Sequence, residues 1–380
     1  MSEIDLTQDR IAVAGMSPDT ALSVSASAST SSLLVPPELV EGIVIAIAHG
    51  FFEVAVPSET STPRTYLCTL RGRLRKSRPQ QLPRTSPTSA ARYARGGQNG
   101  REQSRTAARD ETAVRIAPGD RVLLRPLGGE EGVIEDVVPR RTALSRARSE
   151  SGEQHIMLAN LDSAILVFAV REPKPHFGML DRYLALCKHA GVDVTICLNK
   201  VDLDIPAEVE TAATLYVGLG YRVLLTSAAT GVGVEALRER LVGRTSLLTG
   251  PSGVGKSSLL NELLPEAAQR TGVVSEATGK GRHTTTGVRL LPLPGDGWLA
   301  DSAGIRELAL WNVPSEDLPG AFVELQPLVG QCEYEDCEHK EGEEGCAFWT
   351  ALADGRITPE RFASFERLLE EAREAEAPQW

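Results

Sequence analysis

Gly250-Pro-Ser-Gly-Val-Gly-Lys-Ser257 is the stretch of this sequence that decides the fold. It satisfies the pattern G-x-x-x-x-G-K-[ST], follows the apolar run 245–249 and leads into the leucine-rich run 258–264. That succession predicts a strand, a glycine-rich loop and a helix. In this context the pattern is typical of a phosphate-binding loop and not of a chance glycine turn.

The loop is predicted to cradle nucleotide phosphates. Its backbone N–H groups can converge on phosphate oxygens, and the following helix adds the positive end of its dipole. Lys256 is expected to reach the β- and γ-phosphates, and the Ser257 hydroxyl is expected to hold Mg²⁺. The loop residues predicted to contact the nucleotide are Gly250, Pro251, Ser252, Gly253, Val254, Gly255, Lys256, Ser257 and Ser258.

Length and composition indicate a globular protein of two or three domains. The chain has 380 residues, of which 42% are hydrophobic and 24% are charged, values typical of soluble proteins. No apolar run approaches the roughly 20 residues of a membrane span, and the N-terminus lacks a basic-then-apolar signal pattern. We therefore expect a cytoplasmic protein, monomeric and without a membrane partner.

The net charge of −11 is unevenly distributed. Between Arg71 and Arg109 there are ten Arg and one Lys against the single acid Glu102, a net charge of +10 that leaves −21 for the remainder. An acidic body with one basic segment indicates a local contact with a polyanion. The segment, about 71–110, has almost no aliphatic residues after Leu82. We interpret it as an arm for nucleic-acid phosphates, with a merely solubilising loop as the alternative.

The N-terminal part predicts a small β-barrel. Residues 1–36 are rich in Ser, Ala and Thr and predict a flexible tail. Residues 37–145 contain five short strands separated by turn signals, and the basic segment is inserted among them. The predicted strands are 42–47, 51–56, 66–70, 121–125 and 132–138. Five strands of this length favour an OB-like barrel, a fold that often binds oligonucleotides but does not by itself establish a function.

Residues 150–315 predict an α/β domain. Apolar strands at 163–169, 192–198 and 221–225 alternate with helical spacing, clearest at 177–190. This alternation predicts a parallel sheet with helices on both faces and with its sites at the carboxyl ends of the strands.

Asn199-Lys-Val-Asp202 follows the strand 192–198, where it can read guanine. An ionised Asp202 carboxylate can accept the N1–H and the exocyclic amino N–H of guanine together, whereas adenine presents no such pair of donors. The Lys200 stem can cover the base, and Asn199 can tie the loop to its neighbours. Thr226-Ser-Ala228, which ends the next strand, is expected to offer a backbone contact to guanine O6. The residues predicted to hold the base are Asn199, Lys200, Val201, Asp202, Thr226, Ser227 and Ala228.

Two segments beyond the loop predict the rest of a nucleotide-hydrolysing centre. Asp301-Ser-Ala-Gly304 follows a predicted strand and can supply a carboxylate to the Mg²⁺ shell and a backbone N–H near the γ-phosphate. A threonine of 284–286 would complete the metal shell. Thr285 is the predicted ligand, although spacing alone does not separate it from its neighbours. With the loop and the base-reading motif, these segments predict GTP and GDP binding.

The C-terminal region 316–380 contains a predicted metal site and a helix. Cys332, Cys337, His339 and Cys346 offer three thiolates and one imidazole within fifteen positions, a set suited to one tetrahedral Zn²⁺ with no open position for catalysis. Residues 359–376 then place Phe362, Phe365, Leu368, Leu369 and Ala372 on one helical face.

The base-reading motif precedes the phosphate-binding loop, the reverse of the order in ordinary small GTPases. This order, with an OB-like barrel before it and a cysteine cluster after it, closely resembles the circularly permuted, small-ribosomal-subunit-dependent GTPase family (RsgA/YjeQ) over about residues 38–376. The resemblance implies GTP hydrolysis stimulated by the small ribosomal subunit and its rRNA, a role in late maturation of that subunit, and the same zinc site. The sequence departs from the family at Asp-Ser-Ala-Gly, where Asp-Thr-Pro-Gly is more common, and in its basic insertion and serine-rich tail.

Ile305 stands where ordinary GTPases have the glutamine that orients the attacking water. An apolar side chain cannot do this, so intrinsic turnover is expected to be slow. His283, which similar family members also carry, is a candidate for positioning the water, or else it docks on the partner. The predicted catalytic residues are Lys256, His283, Thr285, Asp301 and Gly304. Alternative interpretations are an RNA-binding assembly factor with little turnover, or a P-loop kinase or ATPase, against which Asp202 argues.

Overall fold

The structure is a computed structural model of the chain. It describes residues 39–48, 50–58, 63–72, 116–147, 154–264, 288–300 and 313–377. The tail predicted at 1–36 lies outside the described residues, as does the basic insertion beyond Gly72.

The N-terminal part forms the predicted five-stranded barrel, which closes in the order β1-β2-β3-β5-β4. The β3–β5 pair is parallel, and the other described pairs are antiparallel. Its strands are β1 Val40–Ala48, β2 Phe51–Val56, β3 Arg64–Leu70, β4 Arg121–Gly128 and β5 Glu131–Val137. Alternate residues of each strand point inward, and Val44, Val54, Cys68, Leu124 and Ile134 fill the interior. The basic insertion connects β3 to β4 and therefore leaves the barrel's strand pairing continuous.

A hairpin that was not predicted from the sequence follows the barrel. Strand β6, Ala143–Ala147, pairs antiparallel with β7, Gln154–Ala159. A buried ion pair fixes the approach to this hairpin, because Arg140 donates through Nε and Nη2 to the two carboxylate oxygens of the fully buried Asp120, each at 2.7 Å. The hairpin thereby connects the barrel to the α/β domain through hydrogen-bonded backbone.

The central domain is a six-stranded sheet in the order β10-β9-β8-β11-β13-β12. All neighbours are parallel except β12, which is antiparallel to β13. The strands are β8 Ser163–Ala169, β9 Asp193–Asn199, β10 Arg222–Leu225, β11 Thr245–Thr249, β12 Leu290–Leu293 and β13 Gly297–Ala300. The helices are α1 Phe177–His189, α2 Ala207–Gly218, α3 Val234–Glu239 and α4 Lys256–Leu263.

Both faces of the central strand β8 are covered, which explains its unbroken apolar sequence. Leu166 and Phe168 point to the core that contains α1 and α2, whereas Ile165, Val167 and Ala169 point to the core that contains α3 and α4. From β8 the chain moves outward to β9 and β10 and then returns to β11 on the other side of β8. This reversal opens a crevice at the carboxyl ends of β8 and β11, where ligands of doubly wound sheets bind.

The C-terminal region packs against the α1–α2 face. Its elements are α5 Leu318–Ala321, a 3-10 turn Gln326–Leu328, α6 Ala347–Ala353 and α7 Pro359–Glu376. Helix α7 has the predicted bounds, Thr358 caps its N-terminus by accepting from the Arg361 N–H, and all five predicted apolar residues are buried. The helical part of this region is therefore confirmed.

One buried ion cluster joins the C-terminal region to the α/β domain. Arg361 of α7 donates to both carboxylate oxygens of Glu324, at 2.6 and 2.9 Å, and to Asp181 of α1 at 2.5 Å. Tyr216 of α2 donates to the same Asp181 oxygen at 2.6 Å. Burial disfavours the guanidinium charge, but the hydrogen bonds and charges of Glu324 and Asp181 outweigh it and raise the pKa of Arg361. The three charged side chains are at most 5% exposed, so each depends on the others for its pairing.

Replacing Arg361 with methionine is expected to destabilise the protein by about 3–5 kcal/mol, because two buried carboxylates lose their cation while the side-chain volume is kept. The measurement is the free energy of unfolding in urea, followed by far-ultraviolet circular dichroism. Arg356→Met is the matched control, since Arg356 pairs with Asp354 on the surface and should cost about 0–1 kcal/mol. Equal losses in the two variants would contradict the role given to the cluster.

Among the described residues, no helix is long and apolar enough to cross a membrane.

Candidate nucleotide site and candidate metal centre

The residues predicted to bind nucleotide gather at the carboxyl edge of the sheet. Asn199 ends β9, Thr226 follows β10, and Gly250 follows β11. Since these strands are parallel neighbours around β8, their ends meet at the crevice described above.

The glycines of the 250–257 loop are required by its geometry. Gly250 has φ 146°, and a Cβ there would lie 2.0 Å from the Val167 carbonyl oxygen of β8. Gly255 has φ 95°, and a Cβ there would lie 2.3 Å from Asn199 Nδ2. Any larger residue would displace the loop from β8 or from the base-reading motif, so the glycines set how closely the loop approaches its neighbours.

Lys256 and Ser257 begin helix α4 and face the loop's interior and the solvent, respectively. The Lys256 Nζ donates to the carbonyl oxygens of Gly250 and Pro251 at 2.8 and 2.5 Å. Burial lowers the pKa of Lys256. Ser257 is exposed in the first turn of the helix. The loop and the first turn of α4 thus offer one ammonium, one solvent-exposed hydroxyl and the N-terminal N–H groups of a helix, which are groups that suit a phosphate and its cation.

Asn199 connects the phosphate side of the site to the base side. Its side chain is 1% exposed. Its Nδ2 donates to the Val254 carbonyl oxygen at 2.9 Å, while its Oδ1 accepts from the Thr226 hydroxyl at 3.2 Å and from the Ala228 N–H at 3.3 Å. The amide nitrogen of Asn199 therefore binds the phosphate-binding loop, and its amide oxygen binds the loop after β10. This residue was expected from the sequence to connect neighbouring loops.

Asp202 is exposed and is held by one neighbour. One of its carboxylate oxygens accepts from the Ser227 hydroxyl at 2.5 Å. Ser227 is itself fully buried and also accepts from the Thr230 N–H through its hydroxyl oxygen. The carboxylate is thus oriented on its buried side and open on its solvent side, where a base with paired N–H donors can approach.

The loop after β8 completes the site, although no part of it was predicted from the sequence. The Glu172 carbonyl oxygen accepts from Lys200 Nζ, and Pro173 Cδ lies 3.7 Å from where a Cβ on Gly253 would be. Lys200 has φ 66°, so its backbone is already turned out of the strand. The signal that could have located this loop is topological, because it leaves β8 at the point where the strand order reverses.

Some of the remaining residues that were predicted to bind nucleotide belong to the described loops, and the others lie outside the described residues. Val254 is buried, Pro251 is half-buried, and Ser252 and Ser258 are exposed. The Val201 N–H donates to the Thr226 carbonyl oxygen at 3.2 Å, which joins the two base-side loops. The predicted residues that lie outside the described ones are His283, Thr284, Thr285, Thr286, Asp301, Gly304 and Ile305.

Cys332, Cys337, His339 and Cys346 meet in the C-terminal region, and their potential ligand atoms all lie within 4.8 Å of one another. His339 Nδ1 lies 3.6, 3.4 and 3.5 Å from the sulfur atoms of Cys332, Cys337 and Cys346. In tetrahedral zinc sites, Zn–S bonds of about 2.3 Å and Zn–N bonds of about 2.0–2.1 Å put nitrogen and sulfur about 3.5 Å apart. The four side chains therefore fit one zinc ion.

The surroundings of His339 hold its ring in place. His339 has φ 60°, its ring stacks on Phe348 with centroids 4.0 Å apart, and Trp349 Nε1 donates to its carbonyl oxygen at 3.2 Å. Burial lowers the pKa of His339, which favours the neutral imidazole that binds metal. Arg373 of α7 donates to the Glu338 carbonyl oxygen at 2.8 Å, so the cysteine-bearing loop is tied to the C-terminal helix.

Sequence comparisons match the chain to one family over most of its length. The RsgA GTPase family model matches residues 137–311. The chain is 45% identical to the small ribosomal subunit biogenesis GTPase RsgA of Ectopseudomonas mendocina (strain ymp) over 257 residues, which cover 67% of this chain and 74% of the relative. It is 42% identical to the protein of the same name from Gemmatimonas aurantiaca (strain DSM 14586 / JCM 11422 / NBRC 100505 / T-27) over 266 residues, 68% of this chain and 85% of the relative.

Two solved structures superpose on most of this chain. YjeQ from Thermotoga maritima superposes with a TM-score of 0.63 at 29% identity, covering 88% of this chain and 98% of that one. YloQ, described as a circularly permuted GTPase, superposes with a TM-score of 0.61 at 22% identity, covering 90% and 97%, and shows likeness of fold alone. The permuted strand order of this chain is therefore also that of solved structures.

Proposed function

The chain belongs to the RsgA GTPase family, which makes it a GTP hydrolase of small ribosomal subunit biogenesis, and we propose that the small subunit itself stimulates its turnover. The observation that carries the proposed nucleotide site is the joining of base and phosphate loops through Asn199 at the carboxyl edge of the sheet, and the basic segment 71–110 beside the barrel supports an RNA-rich partner. These hydrogen bonds support a single crevice in which the proposed guanine and phosphate contacts are close together.

Guanine selectivity is assigned to Asp202. Its oriented, exposed carboxylate can accept two N–H groups of the base at once, and hydrogen bonds to a charged acceptor contribute more than neutral ones. The Lys200 stem, held at its end by the Glu172 carbonyl oxygen, can lie along one face of the base. Adenine would leave the carboxylate without its donors.

Asp202→Asn is expected to weaken GDP binding about 10- to 100-fold, because the amide keeps one acceptor but places an NH₂ group against the donors of guanine. Xanthosine diphosphate should gain affinity, since it carries a carbonyl where guanine carries the amino group. Fluorescent nucleotide titrations measure both effects. The variant keeps an acceptor for the Ser227 hydroxyl, so the loop is expected to retain its position.

The wild-type titration with GDP and ADP tests the guanine assignment itself. We expect strong preference for GDP. Comparable affinity for the two nucleotides would contradict the guanine site and favour a P-loop kinase or ATPase instead.

Phosphate binding and Mg²⁺ binding are assigned to the loop and to the start of α4. Lys256 would leave its two loop carbonyls for the β- and γ-phosphate oxygens, and backbone N–H groups of the loop would surround the β-phosphate. The Ser257 hydroxyl would be one Mg²⁺ ligand, with Thr285 and Asp301 as the others proposed from the sequence. Bound Mg²⁺ would neutralise charge that develops on the phosphates.

Slow intrinsic turnover follows from Ile305 at the position of the water-orienting glutamine. The missing contact must then come from His283, from another residue or from the partner. The basic insertion next to a five-stranded barrel favours an RNA-rich partner, and the small ribosomal subunit is such a partner. We therefore place the control of hydrolysis in the complex with the small subunit.

We also propose that Cys332, Cys337, His339 and Cys346 hold one structural Zn²⁺ per chain. The support is the spacing between His339 Nδ1 and the three sulfur atoms, together with a ligand set that leaves no open coordination position. The ion would close the loop between the 3-10 turn and α6.

Chelation, or Cys337→Ser, is expected to release about one Zn²⁺ per chain and to loosen the C-terminal region, because structural zinc contributes its binding free energy to folding. Metal analysis and limited proteolysis measure the two effects. Cys68→Ser is the matched control, since the Cys68 thiol is buried in the barrel core, which is separate from the core that contains the three cysteines of the candidate metal centre. Native protein purified without chelators and found free of zinc would contradict this proposal.

A further inference from the structure

A group of arginines lies at the amino edge of the α/β sheet, opposite the candidate nucleotide site. Arg222 is the first residue of β10, Arg244 immediately precedes β11, and Arg240 follows α3. We call these three residues the arginine edge. Strand β9 begins nearby at Asp193 and rises about 3.3 Å per residue, so the edge lies roughly 20 Å from Asn199. Nothing in the proposed hydrolysis uses these residues.

The carboxylates at this edge are too few to neutralise the arginines. Arg244 Nη1 lies 3.0 Å from Asp193 Oδ2, and Arg240 Nη2 lies 3.9 Å from the same oxygen. Within the described part of the chain, the Arg222 side chain is exposed and has neither a hydrogen bond nor an ion pair. Arg240 and Arg244 therefore share one carboxylate, and Arg222 has none within the described residues. The adjacent Arg141–Asp162 pair, at 2.9 Å, is already balanced and adds no spare negative charge.

Arg240 is the least favourably placed of the three. Its Nε atom is buried and has no hydrogen-bond partner in the described residues. Burial and the charges of Arg222 and Arg244 lower the pKa of Arg240, while Asp193 acts in the opposite direction. A buried donor without an acceptor and like charges held together are both unfavourable. An anion bound from solvent to the exposed ends of these guanidinium groups would relieve the repulsion between their like charges.

We propose that the arginine edge binds phosphodiester groups of RNA. Guanidinium groups present planar pairs of donors that match phosphate oxygens, and they are less strongly hydrated than ammonium groups. The inference rests on the proposed function, because the small subunit presents phosphates at high density. It adds a contact surface on the α/β domain, separate from the basic insertion of the barrel, so that the two surfaces engage RNA from different domains.

The test measures the affinity of the full-length protein for a fluorescent, mixed-sequence single-stranded RNA and for purified small ribosomal subunits over a series of salt concentrations. Arg222→Gln/Arg244→Gln should weaken binding about tenfold and should reduce the slope of log affinity against log salt by roughly 0.7–0.9 for each phosphate that is no longer neutralised. Arg222→Gln alone should give about half of the change in slope. Because the Arg222 side chain has no partner among the described residues, this single variant keeps the test decisive if the double variant does not fold.

A variant with the opposite sign separates recognition from damage. Asp193→Asn removes the shared carboxylate and should strengthen RNA binding several-fold, a result that mere disruption of structure would not give. Arg238→Gln is the matched control, since Arg238 lies on α3 next to the edge but is paired with Glu235; it should leave affinity unchanged. GTP hydrolysis without RNA should be unaffected in Arg222→Gln.

The outcomes distinguish this inference from the proposed function. Unchanged affinity and slope in the arginine variants, with no gain in Asp193→Asn, would overturn the arginine edge even if subunits stimulate hydrolysis by the wild type. Failure of subunits to stimulate the wild type would overturn the proposed function, and the RNA titration would still decide whether the edge binds phosphodiesters.

Discussion

Lys256→Ala is expected to lower kcat/KM for GTP hydrolysis about 100- to 1,000-fold. The Lys256 ammonium is the one side-chain cation that the described site directs into the phosphate-binding loop, where Nζ lies on the carbonyl oxygens of Gly250 and Pro251. In the transition state, negative charge spreads over the transferred phosphoryl oxygens, and a fixed cation there stabilises it more than it stabilises the ground state.

The measurement is single-turnover and steady-state GTP hydrolysis by the variant and the wild type. Lys174→Ala is the matched control. Lys174 lies in the loop after β8, but its side chain is 76% exposed and pairs only with Glu208 in the described structure. Loss of turnover in both variants would indicate a general effect of charge near the site, and unchanged turnover in Lys256→Ala would remove the loop from the mechanism.

Local patterns in the sequence predicted most of the framework. The phosphate-binding loop, the five barrel strands and helix α7 all depend on neighbours within a few residues, where period and turn chemistry act directly. The four side chains of the candidate metal centre were also predictable, because three cysteines and a histidine within fifteen positions are typical of a zinc-ligand set. The parallel sheet was predicted from the alternation of strands and helices, and the circular permutation was predicted from the order of the motifs.

Interactions between distant parts of the chain were not predictable from the sequence. Arg361 and Asp181 are separated by 180 positions, and no local pattern indicates that an arginine on a largely apolar helical face will neutralise a carboxylate of α1. The Glu172–Lys200 hydrogen bond, which joins residues 28 positions apart, is a similar case. Each depends on how the sheet reverses or how two domains meet, which is a property of the assembled fold.

Small ribosomal subunits are expected to raise kcat for GTP hydrolysis well over tenfold. Ile305 cannot orient the attacking water, so the free protein lacks a contact that ordinary GTPases possess. In the complex with the subunit, His283 or rRNA would hold the water, and a threonine of 284–286 would complete the Mg²⁺ shell. The rate would be controlled by subunit concentration once GTP is saturating.

The stimulation should decline steeply with salt, whereas GTP affinity should change little. Phosphate contacts release counterions, so binding to RNA weakens in proportion to the number of such contacts. Deleting residues 76–109 removes seven Arg and one Lys and should weaken subunit binding while leaving intrinsic hydrolysis intact. The insertion connects β3 to β4, and the barrel closes through the five described strands.

The most direct measurement is therefore the GTPase rate of the wild-type protein as a function of small-subunit concentration, at saturating GTP and at a low and a high salt concentration. We expect a saturable increase of well over tenfold at low salt, and a shift of the half-maximal subunit concentration to much higher values at high salt. No stimulation at low salt would contradict the ribosome-dependent function and would leave a GTP-binding assembly factor with little turnover in its place.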